Sequence, residues 1–171
     1  MYDIAAPGTV DPRDLRDCCG RFATGVNVIT TRTAEGDHGM TLSAFMSVSL
    51  DPPLICISIG QGAKALARIR ESGRYAVNIL SEDMRRHALH FAGRADGMLT
   101  DLFQDRHGLP ILRNAAAVLV ADVVQQIEAG DHVLLLGHVR HLDRDPAAAP
   151  LLYHAGQFGS LLPGSDACTS A

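Results

Sequence analysis

The sequence predicts a mainly-β domain with a few helices, closed by antiparallel pairing into a barrel or sandwich. Six or seven segments rich in Val, Ile and Thr are separated by short turn signals rather than by long helical crossovers. The two longest, 116–126 and 132–142, flank the turn Glu128-Ala129-Gly130-Asp131, long enough for a hairpin and far too short for a parallel crossover. With 171 residues, 47% of them hydrophobic, the chain fills one sizeable core, so residues 1–171 read as a single domain. Many strands in so small a domain favour a barrel or sandwich.

Each element has its own signal. Asp11-Pro12 starts a helix, with Asp as the cap and Pro at the first helical position. Leu15, Cys18 or Cys19, and Phe22 follow at helical spacing, and the helix is expected to end near Gly25. Residues 26–32 are β-rich, and the turn Ala34-Glu35-Gly36-Asp37 folds them against 38–43 as a hairpin. Residues 54–59 form a near-continuous apolar strand, 63–71 a helix closed by Ser72-Gly73, and 75–80 a further strand. A helix from Ser81 or Glu82 runs through Ala92 and stops at Gly93. Residues 94–115 read as irregular, with a short helix around 98–103, and the small, polar tail at 162–171 reads as disordered.

The composition excludes several function classes. No apolar run of 18 residues spans a membrane, and the N-terminus lacks the basic and apolar regions of a signal peptide. A net charge of −4 without a basic block argues against a nucleic-acid partner. The four cysteines make no C-x-x-C pair, and with eight histidines around them still give no zinc spacing. They read as reduced thiols of a cytoplasmic protein. His138 and His141, three apart on a strand, are expected to face opposite sides. His87 and His90 share a helical face with no carboxylate or Cys at ligand spacing, so these residues read as surface or structural.

Residues 39–53, Gly-Met-Thr-Leu-Ser-Ala-Phe-Met-Ser-Val-Ser-Leu-Asp-Pro-Pro, carry the most specific pattern. Small or polar residues alternate with apolar ones, so one face is expected to be dry and the other to carry hydroxyls. The double Pro stops the ladder, because neither ring donates a hydrogen bond. An ordinary half-buried strand pair fits this pattern equally well.

This stretch resembles the G-[MF]-T-A-S-S-F-x-S-V-S-L-x-P-P segment of the short-chain flavin reductases, the small reductase components of two-component flavin monooxygenases. Gly39, Met40, Thr41, Ser43, Phe45, Ser47, Val48, Ser49, Leu50, Pro52 and Pro53 match, and Ala44 replaces the second Ser of the family's pair. The resemblance covers residues 15–161 and implies a split β-barrel related to Greek-key barrels, usually a homodimer with flavin near the interface. It places Gly39, Met40, Thr41, Leu42, Ser43, Ala44, Ser47 and Ser49 along the isoalloxazine of FMN or FAD, with Cys56, Ile57 and Ser58 of the next strand.

Gly60-Gln61-Gly62-Ala63-Lys64-Ala65 outlines a Rossmann fingerprint, with Glu82 some twenty residues on, or equally a plain β-to-α turn. The resemblance favours a third reading: a flavin phosphate on the helix N-terminal amides of Gly62, Ala63, Lys64 and Ala65. Ala63 and Ala65 stand where the family often has hydroxyls, which leaves the backbone and Lys64 as a point charge. Phe91, Ala92 and Arg94 resemble the family's F-A-x-[RK] segment near the flavin; alternatively they form a helix C-cap with a solvated Arg.

Glu128-Ala129-Gly130-Asp131-His132 resembles the family's [DE]-x-G-D-H turn. That assigns His132 to positioning the nicotinamide of NADH or NADPH, and secondarily to proton transfer. Tyr153, His154, Ala155 and Gly156 match the closing segment that contributes to the nucleotide site, with Ala155 in place of a frequent Arg. The expected activity is reduction of free flavin by NAD(P)H for a separate oxygenase. A non-catalytic flavin or haem carrier on the same barrel would not need His132. A Rossmann dehydrogenase would need a parallel sheet.

Overall fold

The structure, a computed structural model, describes residues 10–162; the expected disordered tail, apart from Leu162, lies outside them, as does Cys168. Helix α1 spans Pro12–Cys19, and the Asp11 carboxylate accepts a hydrogen bond from the Arg13 amide at 2.6 Å. It ends well before Gly25, because Gly20 closes it and Thr24–Gly25 pairs as strand β1. None of its residues is buried: Leu15 is exposed, as is Phe22 beyond the helix.

Strands β2 (Asn27–Thr33) and β3 (Gly36–Leu42) form the expected hairpin. β4 (Phe45–Leu50) and β5 (Pro53–Gly60) follow, then α2 (Lys64–Ser72). Gly73 caps α2 at φ 69°, a left-handed conformation open to a residue without Cβ. After β6 (Arg74–Ile79), a 3-10 turn over Glu82–Met84 leads into α3 (Arg85–Phe91).

No helix forms at 98–103. Instead β7 (Phe103–Arg106) and β8 (Leu109–Leu112) make a hairpin, with His107 and Gly108 both at positive φ as a two-residue turn requires. Tertiary contacts dock this hairpin. The buried Asn78 amide donates to Val28 O and Thr30 Oγ1, while its Oδ1 accepts from the Leu112 amide. Thr30 in turn donates to Pro110 O. Every polar atom of Asn78 therefore has a partner, as burial demands.

Strands β9 (Ala117–Ala129) and β10 (His132–Arg144) pair down to Ala129 opposite His132, so the turn is Gly130-Asp131 rather than four residues. β11 (Leu152–His154) pairs with β1 on one side and with β12 (Gln157–Gly159) on the other.

The main sheet runs β3-β2-β6-β9-β10-β5-β4, antiparallel throughout, which removes the Rossmann alternative. Its two edge strands, β3 and β4, are joined only by Ser43-Ala44. Three virtual bonds reach at most about 11 Å, so the edges converge there and the sheet curls into a barrel split along that seam. Ile29, Ile57, Ile59, Leu66, Tyr75 and Leu135 fill the barrel; Val28, Leu80, Met84, Ala88 and Leu112 form a second cluster beneath α3.

The dry face expected for residues 39–53 exists only in part. Met40, Leu42 and Phe45 pack on the barrel core, but Met46, Val48 and Leu50 are 58%, 44% and 96% exposed. β4 is an edge strand, and among the described residues no further strand pairs with its outer side. Among the described residues no helix is long and apolar enough to cross a membrane.

Candidate functional site

Strand β3 separates two cavities. The first, about 670 Å³, lies between Thr41 and Leu42 of β3 with Ser43 just beyond it, the face of α3 carrying Arg85, Ala88 and Leu89 with its cap Ala92, and the β11–β12 hairpin with Tyr153, Gly156 and Phe158. The second, about 560 Å³, lies between His38, Gly39 and Met40 of β3, the start of α2 at Ala63, Lys64 and Ala65, and His90, Phe91, Leu102 and Phe103. Thirteen of the sequence-nominated residues line one or the other, among them Gly39, Met40, Thr41, Leu42, Ser43, Ala63, Lys64, Ala65, Phe91, Ala92 and Arg94. The other two, Tyr153 and Gly156, come from the segment around β11.

Local contacts hold this geometry. Thr41 Oγ1 donates to Ala88 O at 2.6 Å, so its proton clamps α3 to β3 and only its lone pairs face the cavity. Gly39 is required by packing: a Cβ there would lie 2.6 Å from Phe91 Cε1. The Phe91 ring is also held at 5.6 Å from Phe103 and 4.9 Å from His90, centroid to centroid.

The cavities carry unpaired positive charge. Lys64 in the second, and Arg85 and Arg94 in the first, make no ion pair among the described residues. The Arg85 guanidinium lies 5.4 Å from the centroid of the Phe158 ring, a cation–π arrangement. In contrast Asp37 is paired with Arg32, at 2.6 Å and 3.1 Å, a guanidinium it shares with Asp105. Burial, reinforced by Arg68 and Lys64, holds the His38 imidazole below its ordinary pKa and so favours the neutral ring.

Other nominated residues lie elsewhere. Ala44 sits at the seam, its carbonyl accepting from the half-buried Ser58 at 3.1 Å, while Ser47 and Ser49 are on the edge strand β4. Cys56 and Ile57 are buried, and burial raises the Cys56 thiol pKa. Gly62 is exposed beside Ala63, and His154 is exposed on β11. Ala155 lines a separate cleft with Arg16, Asp17 and Arg21.

His132 lines none of these cavities. Its Nδ1 lies 2.7 Å from Asp131 Oδ1, and that contact holds the Asp131 carboxyl below the usual range. The turn packs against the approach to α2: the Gln61 amide donates to Asp131 O at 2.9 Å, and its side chain to Gly130 O at 3.0 Å.

His90, read from sequence as surface or structural, lines the second cavity; its Nδ1 accepts from the Asp96 amide at 2.9 Å. Arg85 and Leu89 were also missed, although they stand at i−7 and i−3 from Ala92, a helical-face signal. Phe103 lines the second cavity from the start of β7, a strand that the expected helix over 98–103 does not contain. His138 and His141 do not face opposite sides. A register slip in β10 sets them opposite Asp122 and Val120, which are two apart on β9 and share a face. No cluster of three or more His, Cys, Asp or Glu suited to a metal occurs among the described residues.

A family model described as a flavin reductase like domain matches residues 19–162. The chain belongs to the flavin reductase family. It is 45% identical over 161 residues to an NADH-dependent flavin reductase of a Rhodococcus species, covering 92% of this chain and 91% of the relative. The fold is shared with a Streptomyces globisporus NADH:FAD oxidoreductase solved with NAD and FAD fragments, at TM-score 0.81 and 34% identity, covering 94% of this chain and all of that one. It is shared equally with the flavin reductase component of a bacterial two-component tryptophan halogenase, at TM-score 0.81 and 33% identity over 88% and 98% of the two chains.

Proposed function

We propose that the protein is an NADH-dependent flavin reductase that reduces FMN or FAD and releases the reduced flavin to a separate oxygenase component. One observation carries this reading: two cavities flank a single strand, β3, with Arg85 and Arg94 unpaired in the first and Lys64 in the second, beside apolar side chains. A flavin needs a flat, largely apolar slot next to an anion site, and this donor set fits it. The bound flavin would accept a hydride at N5 from nicotinamide C4.

The chain's own part is orientation. Thr41 and Ala88 lock β3 to α3 so that the cavity walls keep their spacing. Lys64 supplies positive charge to phosphate at the second cavity, and Arg85 and Arg94 do so at the first. Asp131 fixes the His132 ring through Nδ1, which leaves Nε2 free to hold the nicotinamide carboxamide. Tyr153 and Gly156 shape the nucleotide end of the first cavity.

The working unit in this reading is a homodimer. Met46, Val48 and Leu50 are exposed apolar side chains on an edge strand, the kind of surface a second copy covers. Met46→Asp is expected to halve the mass measured by light scattering; a wild-type protein that is already monomeric refutes the dimer. The free thiols of Cys18, Cys19 and Cys56 fit a reducing, cytoplasmic compartment.

The decisive experiment adds NADH and catalytic amounts of protein to excess FMN or FAD without oxygen. Loss of oxidised-flavin absorbance with turnover is the expected outcome. Flavin binding without bleaching would identify a carrier and overturn the enzymatic reading.

A further inference from the structure

The two strands of the β7–β8 hairpin are held in different ways. The inner strand, β8, is buried along its whole length, and the Asn78 and Thr30 network fixes it to the barrel. The outer strand, β7, buries none of its four residues. At its far end, β7 and the turn reach the barrel through polar groups. Arg32 pairs with Asp105, and Arg106 with Asp143 at 2.7 Å. Arg74 Nη1 donates to His107 O at 3.2 Å. The remaining contact is a stack: the His107 ring lies against the His141 ring of β10, with centroids 3.6 Å apart and planes 5° from parallel.

Close packing does not hold this end. Both rings line a cavity of about 140 Å³ where the turn meets the sheet, with Ile111, Val118 and Val120 among its other walls. Side chains that face a void forfeit dispersion contacts, so the polar groups around it decide whether the turn stays docked. Histidine is the side chain that ordinarily changes charge between pH 8 and pH 5. The charged neighbours are guanidiniums and carboxylates, which ordinarily keep their charge in that range. They are Arg106 and Asp143 in the same cavity, Arg74 with Asp122 and Arg140, and Asp105 with Arg32. His138 is a further imidazole on that side of β10, opposite Asp122. Two neutral imidazoles stack without charge repulsion. Two imidazoliums in the same place set like charges 3.6 Å apart, which even at the dielectric of water shifts an equilibrium by about sevenfold.

We propose that the His107–His141 stack is an acid-operated latch, which holds β7 and its turn on the barrel at neutral pH and releases them when both rings are protonated. Release leaves β8 in place. It frees the strand that carries Phe103, a wall of the second cavity, so acid loosens that wall without unfolding the barrel.

The test is hydrogen exchange read by mass spectrometry at pH 7.5 and pH 5.5, each rate divided by the intrinsic rate at that pH. Protection of residues 103–107 is expected to fall in acid about sevenfold further than that of residues 109–112 on β8. His141→Phe keeps a flat ring against His107 but takes no charge, so the two segments should then respond alike. His107→Asn removes the stack and keeps a residue that accepts the left-handed backbone at φ 55°, so 103–107 should lose its protection already at pH 7.5. A wild-type loss at 103–107 no greater than at 109–112 would overturn the latch, since it would reflect general acid destabilisation. A His141→Phe variant that keeps the full extra loss would also overturn it, because another group would then drive the release.

Discussion

Replacing Gly39 by Ala tests how tightly the site is packed. The new Cβ would sit 2.6 and 2.7 Å from two carbons of the Phe91 ring, against an ordinary carbon contact of about 3.5–4.0 Å. The ring must retreat by about 1 Å. Phe103 and His90 stand beside it, and the Thr41–Ala88 bond restrains the helix that carries it. Overpacking of this kind costs about 1–3 kcal/mol. For a chain of 171 residues that is a fall in Tm of about 2–12 °C. Swinging the ring into the second cavity is the alternative relief, and it would weaken flavin binding by about tenfold for each 1.4 kcal/mol. The assay is a double-mutant cycle with Phe91→Leu, read by thermal melts and flavin fluorescence. A coupling energy of about 1 kcal/mol or more is expected, because Leu vacates the ring's space. The reasoning fails if Gly39→Ala melts and binds like wild type, or if the two substitutions are additive.

His132→Ala should raise the KM for NADH or lower kcat about threefold to tenfold, the scale of one neutral hydrogen bond at ~0.5–1.5 kcal/mol, with flavin affinity unchanged. Loss of flavin affinity with normal NADH parameters would place the ring in the other half of the site. Stability should fall on mild acidification. Burial lowers the pKa of both His38 and His87, and His87 Nδ1 is buried without a partner. A lowered folded pKa means that the unfolded chain takes up protons first, so stability is full above the ordinary value of 6.5 and declines as pH falls below it. The carboxyls of Asp96, Asp122 and Asp131 are also shifted down, but from 3.8, so they act in a separate, more acidic window. Melts between pH 8 and pH 5 on wild type and His87→Gln check this; identical profiles would remove His87 from the explanation.

Short-range signals were legible without a structure. The Asp11 cap, the Gly73 stop and the antiparallel β9–β10 hairpin depend on a few neighbouring residues, and each formed where the residues indicated. The family was legible too, because residues 39–53 and 128–132 carry long motifs, and most residues nominated from β3, α2 and the end of α3 gather at two adjoining cavities. Tertiary structure decided the rest. The β7–β8 hairpin exists because the buried side chains of Asn78 and Thr30 accept it as a partner, a contact more than thirty residues distant that no local window contains. Phe103 became a site residue only through that docking. Alternation along β4 did not make one dry face: a register slip between Ser47 and Ser49 sets Met46 opposite Cys56 and Leu50 opposite Pro53, three apart on β5, and exposure depends on which neighbour the sheet supplies to an edge strand. The same limit applies to His138 and His141: one register slip reversed the facing that a period of two implies, and slips are set by the pairing of whole strands rather than by the residues that ride on them.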